Sequence, residues 1–254
     1  MPVINDAHSL CKLTRTLLAS GLWLALSATG WSQIAPTEIQ VEAIATGEEI
    51  SAQPGLWVME VDFKPLRFLA IDVTNPKTGQ KEPKYIWYMV YRAYNRPLAS
   101  PATKEPPQNE LDQPVLPPQF IPEFTLVTTD GDAPKIYQDQ VIPEALAVIN
   151  RRERRAYKSS VTAVANVPPA VEPGAPDEEG IYGVAMFTGI DPEADRYTLY
   201  MTGFSNGVQT TDAPDGTKVV QHRTIEMKYW RPGDRFNQEE REIRLDSQPR
   251  WIYR

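Results

Sequence analysis

Residues 85–94, YIWYMVYRAY, constrain what this chain can fold into more than any other stretch. Side chains alternate across a β-strand, so Tyr85, Trp87, Met89 and Tyr91 fall on one face and Ile86, Tyr88, Val90 and Tyr94 on the other. A strand apolar on both faces must be covered on both, which makes it central. Upstream, Trp57, Met59, Val61 and Phe63 alternate with Glu60 and Asp62, the pattern of a strand with one buried face. Lys64-Pro65 interrupts it. A two-residue hairpin there would need positive φ where lysine is poorly suited, so 56–73 reads as one long strand kinked at Pro65. Asn75-Pro76 and Gly79, within 74–83, then turn the chain back.

The rest of the chain has to supply the covers. Ile39, Val41 and Ile44 suit a short edge strand. Residues 96–122 hold eight prolines, which precludes both helix and ladder, while Leu111, Val115, Leu116 and Phe120 are enough to pin this excursion onto a sheet face. Strand pattern resumes over 124–129. PEALAVINRRERR at 143–155 is the one expected helix: Pro143 fits the first helical position, Glu144 the positive end of the dipole, and Arg151, Arg152, Arg154 and Arg155 the negative end. Ser160–Val167 reads as a strand, followed by a second proline-rich stretch at 167–180. Ile181–Ile190 is expected to pair with Arg196–Phe204 across the DPEAD turn at 191–195, and 208–211 with 218–229 across TDAPDGT. Short strands near 242–245 and 250–253 close the chain. About ten strands, one helix and no alternation of the two specify a mainly β fold, an antiparallel β-sandwich, Ig-like or similar. It is expected to occupy 33–254 as a single domain, with excursions at 96–122 and 167–180.

Residues 1–32 stand apart. Lys12 and Arg15 form a basic flank, Leu17–Leu26 is an apolar run, and Ser27, Ala28, Gly30 and Ser32 follow as small residues. That is the pattern of a secretory signal peptide, with an apolar run too short to span a bilayer. The mature chain is therefore expected to begin between Trp31 and Gln33 and to be periplasmic or secreted, with no stable membrane anchor. Cys11, the single cysteine, leaves with the leader. A mature chain without disulfides has to be held by core packing, for which 41% hydrophobic residues suffice. A net charge of −7 argues against nucleic acid or an anionic membrane as the main partner.

LWVMEVDFKPLRFLAIDV (56–73), YIWYMVYRAYNR (85–96), IYQDQVIPEALAVINRRE (136–153), GIDPEADRYTLYMTGFSNG (189–207) and KYWRPGD (228–234) together resemble an uncharacterised family of secreted planctomycete proteins. The resemblance covers most of 55–254. It implies a signal peptide and a shared domain, and brings no activity, ligand or site residue.

Among motifs, GFSNG at 203–207 matches the G-x-S-x-G nucleophile elbow, and Asp212 or Asp215 followed by His222 completes a Ser, Asp, His order. The elbow needs a helix after the turn, whereas VQTTDAPDGT follows Gly207, so Ser205 reads as a turn residue. Asp191, Glu193 and Asp195 have the spacing of half a calcium loop, but Arg196 stands where glycine is needed. His222 is the only histidine beyond the leader, which excludes a histidine-based zinc site. Glu60 and Asp62 share a face and read as solvent-facing acids rather than a catalytic pair. The basic run from Arg151 to Lys158 suits an anionic polymer, although complementing the helix dipole explains it more simply. No catalytic, cofactor-binding or metal residue is assigned. The leading expectation is a noncatalytic structural or interaction protein of the cell envelope, its partner an unknown protein or envelope polymer. The alternative is a ligand-binding module for glycans, built on Trp57, Trp87, Tyr88, Tyr94, Trp230 and Trp251. A hydrolase using Ser205 comes third.

Overall fold

A computed structural model describes residues 38–98, 117–130, 133–191, 193–232 and 243–254. Residues 1–32, expected to be a leader, and residues 99–116 of the first proline-rich excursion lie outside them. In chain order, the first half contains β1 (Ile39–Val41), α1 (Gly47–Ala52), β2 (Met59–Phe63), β3 (Arg67–Thr74), β4 (Lys81–Asn95), β5 (Gln119–Phe120), β6 (Glu123–Thr128) and β7 (Lys135–Gln138). The second half contains α2 (Pro143–Glu153), β8 (Lys158–Ser159), β9 (Ala165–Asn166), β10 (Ile181–Thr188), β11 (Arg196–Thr202), β12 (Val208–Asp212), β13 (Lys218–Trp230), β14 (Arg244–Leu245) and β15 (Arg250–Tyr253).

Two sheets face each other, as expected for an antiparallel sandwich. The first runs β1-β2-β4-β10-β8 with β3 also on β4, and the second runs β12-β13-β11-β6-β7 with β14 and β15 on β13. All these pairs are antiparallel except the two-residue β8–β10 pairing. Between the sheets lies the main core, where Trp87, Met89, Tyr91 and Ala93 of β4 meet Phe124, Leu126, Leu199, Met201, Ile225 and Met227.

The central strand is β4, covered on both faces. Its other face, Ile86, Tyr88 and Val90, packs with Leu69, Val73, Val184 and Met186 under Ile142, Ala145 and Ile149. The cover over that stretch is thus α2. Helix α2 starts with Pro143 at its first turn and ends at Arg154 in the left-handed region, φ 55°, whose N–H returns to the Asn150 carbonyl. At the far end of the same face, Tyr94 is covered instead by the second excursion. Val171 donates its N–H to the Asn95 carbonyl, the Asn95 amide donates to the Pro168 carbonyl, and Glu178 pairs with Arg96 at 2.6 Å.

Pro65 acts as a register switch. Phe63 pairs with Tyr91 and Arg67 with Tyr88, so Lys64, Pro65 and Leu66 stand opposite only Met89 and Val90. This one-residue bulge divides the expected long strand into β2 and β3 and reverses which residues point inward. Before it, Met59, Val61 and Phe63 enter the main core; after it, Leu66 does, while Leu69 and Val73 turn outward to α2. The chain then reverses at Asn75-Pro76 and Gly79 (φ 70°), as the sequence specified.

Four local expectations are corrected. Ile181–Thr188 and Arg196–Thr202 do not form a hairpin: β10 pairs with β4 and β8, and β11 with β6 and β13, so the segment between them crosses from one sheet to the other. It buries Ile190 and Ala194 on the way, which a solvent-facing turn would not do. Ser160–Val167 is extended only at Ala165–Asn166, which pairs with Gln119–Phe120, and its first part is a turn. Ser159 accepts the Thr162 N–H on its hydroxyl and the Ala163 N–H on its carbonyl, closing a turn that competes with extension. A second helix, α1, was not expected; Thr46 and Glu49 cap it reciprocally, at 3.2 and 2.7 Å. Nor was β7, which pairs with β6.

Burial of β4 on both faces sets the outcome of two substitutions. Trp87→Ala should cost about 3–5 kcal/mol, and Tyr88→Ala, whose ring lies under α2, a similar amount. Thermal denaturation should show both midpoints lowered by roughly 6–15 °C for a domain of this size; an unchanged midpoint for Tyr88→Ala would refute the coverage by α2.

Candidate functional site

The GFSNG segment joins the two sheets. Thr202 pairs with Thr224 and Val208 with His222, so residues 203–207 all stand opposite Arg223 and bow out of the ladder. The bow reaches the entry to β2. Met59 donates its N–H to the Phe204 carbonyl, Val58 bridges Ser205, and Trp57 donates its N–H to the Asn206 side chain at 2.8 Å. The Ser205 hydroxyl donates to the Trp57 carbonyl at 2.9 Å and accepts the Gly207 N–H at 3.0 Å, and the residue is 7% exposed. Gly203 makes this possible: its φ is 86°, and a Cβ there would lie 1.9 Å from the Ile121 carbonyl oxygen. His222, on the exposed start of β13, and Asp215, which is bound to Thr217 in its turn, make no hydrogen bond to Ser205.

The acids are likewise committed. Asp62 is 7% exposed and binds Arg92 at 2.8 Å, while Glu60 binds Arg96 at 2.8 Å. Their expected solvent face is therefore an ion-paired face, because Arg92 on β4 stands opposite Asp62 and Arg96, just past the end of β4, reaches Glu60. Asp191 takes Lys135 at 3.2 Å and Asp195 takes Arg231 at 3.3 Å, so that triplet does not converge. Among the described residues no three His, Cys, Asp or Glu side chains form a metal-binding set. Burial pushes the Asp139 carboxyl above its ordinary value, against the Met186 N–H (2.6 Å) and the Ser160 hydroxyl, which favour its charge. Asp139 thereby holds the edge of β10 where β8 stops.

The six aromatics considered as a sugar platform do not form one. Trp87, Tyr88 and Tyr94 are buried, and Trp57, Trp230 and Trp251 are half-buried, with Trp57 and Trp251 packed on the main core. Arg223 sits 4.9 Å over Trp251 and is 4% exposed, donating to the Ile44 carbonyl and pairing with Glu49 at 3.2 Å. Burial pushes the Glu49 carboxyl up, but the hydrogen bonds of Tyr253 and Thr46 and the Arg223 charge outweigh it and hold it lower than an ordinary glutamate. The Tyr253 hydroxyl, buried against that carboxylate, is pushed up to about 12. Sequence reasoning missed this cluster. Its signal was the phase of Arg223, which alternates in step with core residues Ile225, Met227 and Tyr229.

Three surface features remain. A cleft of about 450 Å³ separates α1 from the start of β12, lined by Glu48, Ala52, Gln53, Leu56, Val208 and Gln209. Beyond it the β12–β13 hairpin stands clear of the sandwich: no residue from Val208 to His222 is buried, and Val208, Val219 and Val220 are exposed. On the outer face of the first sheet a smaller groove, about 140 Å³, lies where the end of α2 meets β2, β4 and β10. Glu38, Asp62, Lys64, Arg92, Arg155 and Tyr182 are among its lining residues. Compared with protein-family models, curated proteins and solved structures, the chain matches none, so these side chains carry the functional argument.

Because the Ser205 hydroxyl joins the Trp57 carbonyl to the Gly207 N–H, Ser205→Ala should destabilise the fold by about 1–3 kcal/mol, leaving both groups without it. The wild type should not react with a serine-directed fluorophosphonate. Stoichiometric labelling at Ser205, read by peptide mass, would overturn this assignment.

Proposed function

We propose that this chain is a noncatalytic interaction domain exported to the periplasm, the envelope or the cell exterior, where it docks onto a partner. The observation that carries the reading is the arm formed by β12 and β13. A two-stranded ribbon with neither face buried is marginal in water, yet this one keeps three valines exposed. Its outer edge also has no strand partner among the described residues. His222 exchanges both backbone bonds with Arg254 on one side of β13, so on the other side, toward β12, the Val208–His222 pair is not hydrogen-bonded. The same alternation points the N–H and carbonyl of Thr210 away from β13. Gln53 already accepts the Val208 N–H at 3.2 Å. Such an edge is a template for strand addition.

The export half of the proposal rests on the basic flank, apolar run and small residues of the first 32 positions. Against a hydrolase stands the commitment of Ser205, Asp62 and Glu60 to structural bonds.

Produced from its own gene with its leader, the protein should be recovered outside the cytoplasm with an N-terminus between Trp31 and Gln33. A photo-crosslinking residue at Val220 should capture one discrete partner from the envelope fraction, while the same residue at Ile136, comparably exposed on β7, should not. Recovery of intact Met1 from the cytoplasm would contradict export. Equal capture at the two positions, or none at either, would contradict the role of the arm.

A further inference from the structure

The cations at the end of α2 are out of proportion to an acidic chain. In a protein of net charge −7, Arg151, Arg152, Arg154, Arg155 and Lys158 are all exposed within eight residues, and none has an acid partner among the described residues. The one acid in that run is turned inward. The Glu153 side chain is 3% exposed and receives Lys64 at 2.7 Å, Arg67 at 3.2 Å and the Tyr88 hydroxyl at 3.1 Å. Burial pushes its carboxyl up, and those partners outweigh the burial and hold it below the ordinary range. Folding has thus sorted the run, with the acid inside and the cations outside. The helix dipole accounts for Arg151 and Arg152 in the last turn, but its influence does not extend to Arg155 and Lys158 beyond it.

Arg155 is also held in place. Its guanidinium carbon lies 3.9 Å from the centre of the Tyr182 ring, and Tyr157 meets that ring edge-on at 6.4 Å. Stacking occupies the flat face of the guanidinium and leaves its N–H edge for an oxyanion. The groove beside it, about 140 Å³, has room for one acidic group. The acids that line it are already matched: Glu38 and Asp62 with Arg92, and Glu153 with Lys64 and Arg67.

We propose that the end of α2, comprising Arg151, Arg152, Arg154, Arg155 and Lys158 with Tyr157 and Tyr182, is a docking surface for an acidic polysaccharide. One sulfate or uronate is taken by the stacked Arg155 fork, and the neighbouring cations follow the chain. The half-buried rings of Tyr157 and Tyr182 offer apolar edges to the sugar between acids. A sparsely charged polymer suits the patch better than duplex DNA, whose charge every ~1.7 Å would run on against the acidic remainder of the surface. The proposal rests on the envelope reading only for where the polymer is met, since binding by the purified protein does not depend on location.

Titrations of the mature protein at low ionic strength with chondroitin sulfate and with polygalacturonate test it, using unsubstituted dextran and duplex DNA of equal total charge as comparisons. At least one acidic polysaccharide should bind, roughly tenfold or more tighter than DNA, and neutral dextran should not. The double variant Arg151→Glu/Arg154→Glu should lose roughly tenfold or more in affinity while still unfolding cooperatively, with a melting temperature lowered only slightly as the helix dipole loses its complement at Arg151. Arg155→Lys keeps the charge but loses the planar fork, and should still weaken binding by roughly three- to tenfold. No binding of either polysaccharide, DNA binding of equal strength, or wild-type affinity in Arg155→Lys would overturn the proposal.

Discussion

A strand buried on both faces leaves the chain no freedom to place a single sheet against solvent, and β4 is such a strand. One face of Trp87, Met89, Tyr91 and Ala93 calls for an opposing sheet, and the other, Ile86, Tyr88 and Val90, calls for a further layer. With no cysteine among the described residues, burial of this kind has to supply the cohesion. Pro65 lets one edge serve both layers. Its bulge shifts the register by one, so that the same length of chain sends Phe63 inward and Leu69 outward. At the Tyr94 end the apolar cover gives way to Arg92 and Arg96, which lie 5.9 and 4.7 Å from the ring and reach Asp62 and Glu60 across the β2 strand. Polar groups on this face are consequently paired where α2 does not reach.

The second dependence is how the sheets are joined. The bow at Gly203–Gly207 carries a turn of the second sheet to the first residues of β2, and Ser205 and Asn206 supply side-chain bonds that strand pairing cannot make across that gap. A motif that resembles a nucleophile elbow in one dimension is therefore a fastening in three. This division leaves the surfaces proposed for binding outside the fastened body: an arm whose valines face water, and a helix end whose acid is inside and whose arginines are outside.

Much of this was legible in the sequence. Period-two alternation identified β4 and its two faces, Pro65 marked the break, Pro143 and the arginines bounded α2, and Asp215-Gly216 placed the tip of the arm. What escaped depended on partners distant in sequence. Nothing local says that Ile181–Thr188 prefers β4 to Arg196–Thr202, although Ile190 and Ala194 in the supposed turn hinted at burial. Glu60 and Asp62 looked solvent-facing because the register that brings Arg92 opposite Asp62 is a tertiary fact. The aromatics were too many to assign by type: Trp87 and Tyr88 fill the two cores, and the proposed recognition chemistry rests on Arg155 over Tyr182 instead. Two errors had local signals that went unused, the Thr46-x-x-Glu49 capping box and the Ser159–Thr162 turn.

The central claim is that β4 anchors two layers at once while the arm belongs to neither. Native-state hydrogen exchange resolved by residue measures this directly. Amides of Ile86–Tyr94 should exchange only through global unfolding, with the highest protection in the protein, while those of Val208–His222 should exchange through local opening at far lower free energy. Protection of β4 no greater than that of the arm would contradict the account.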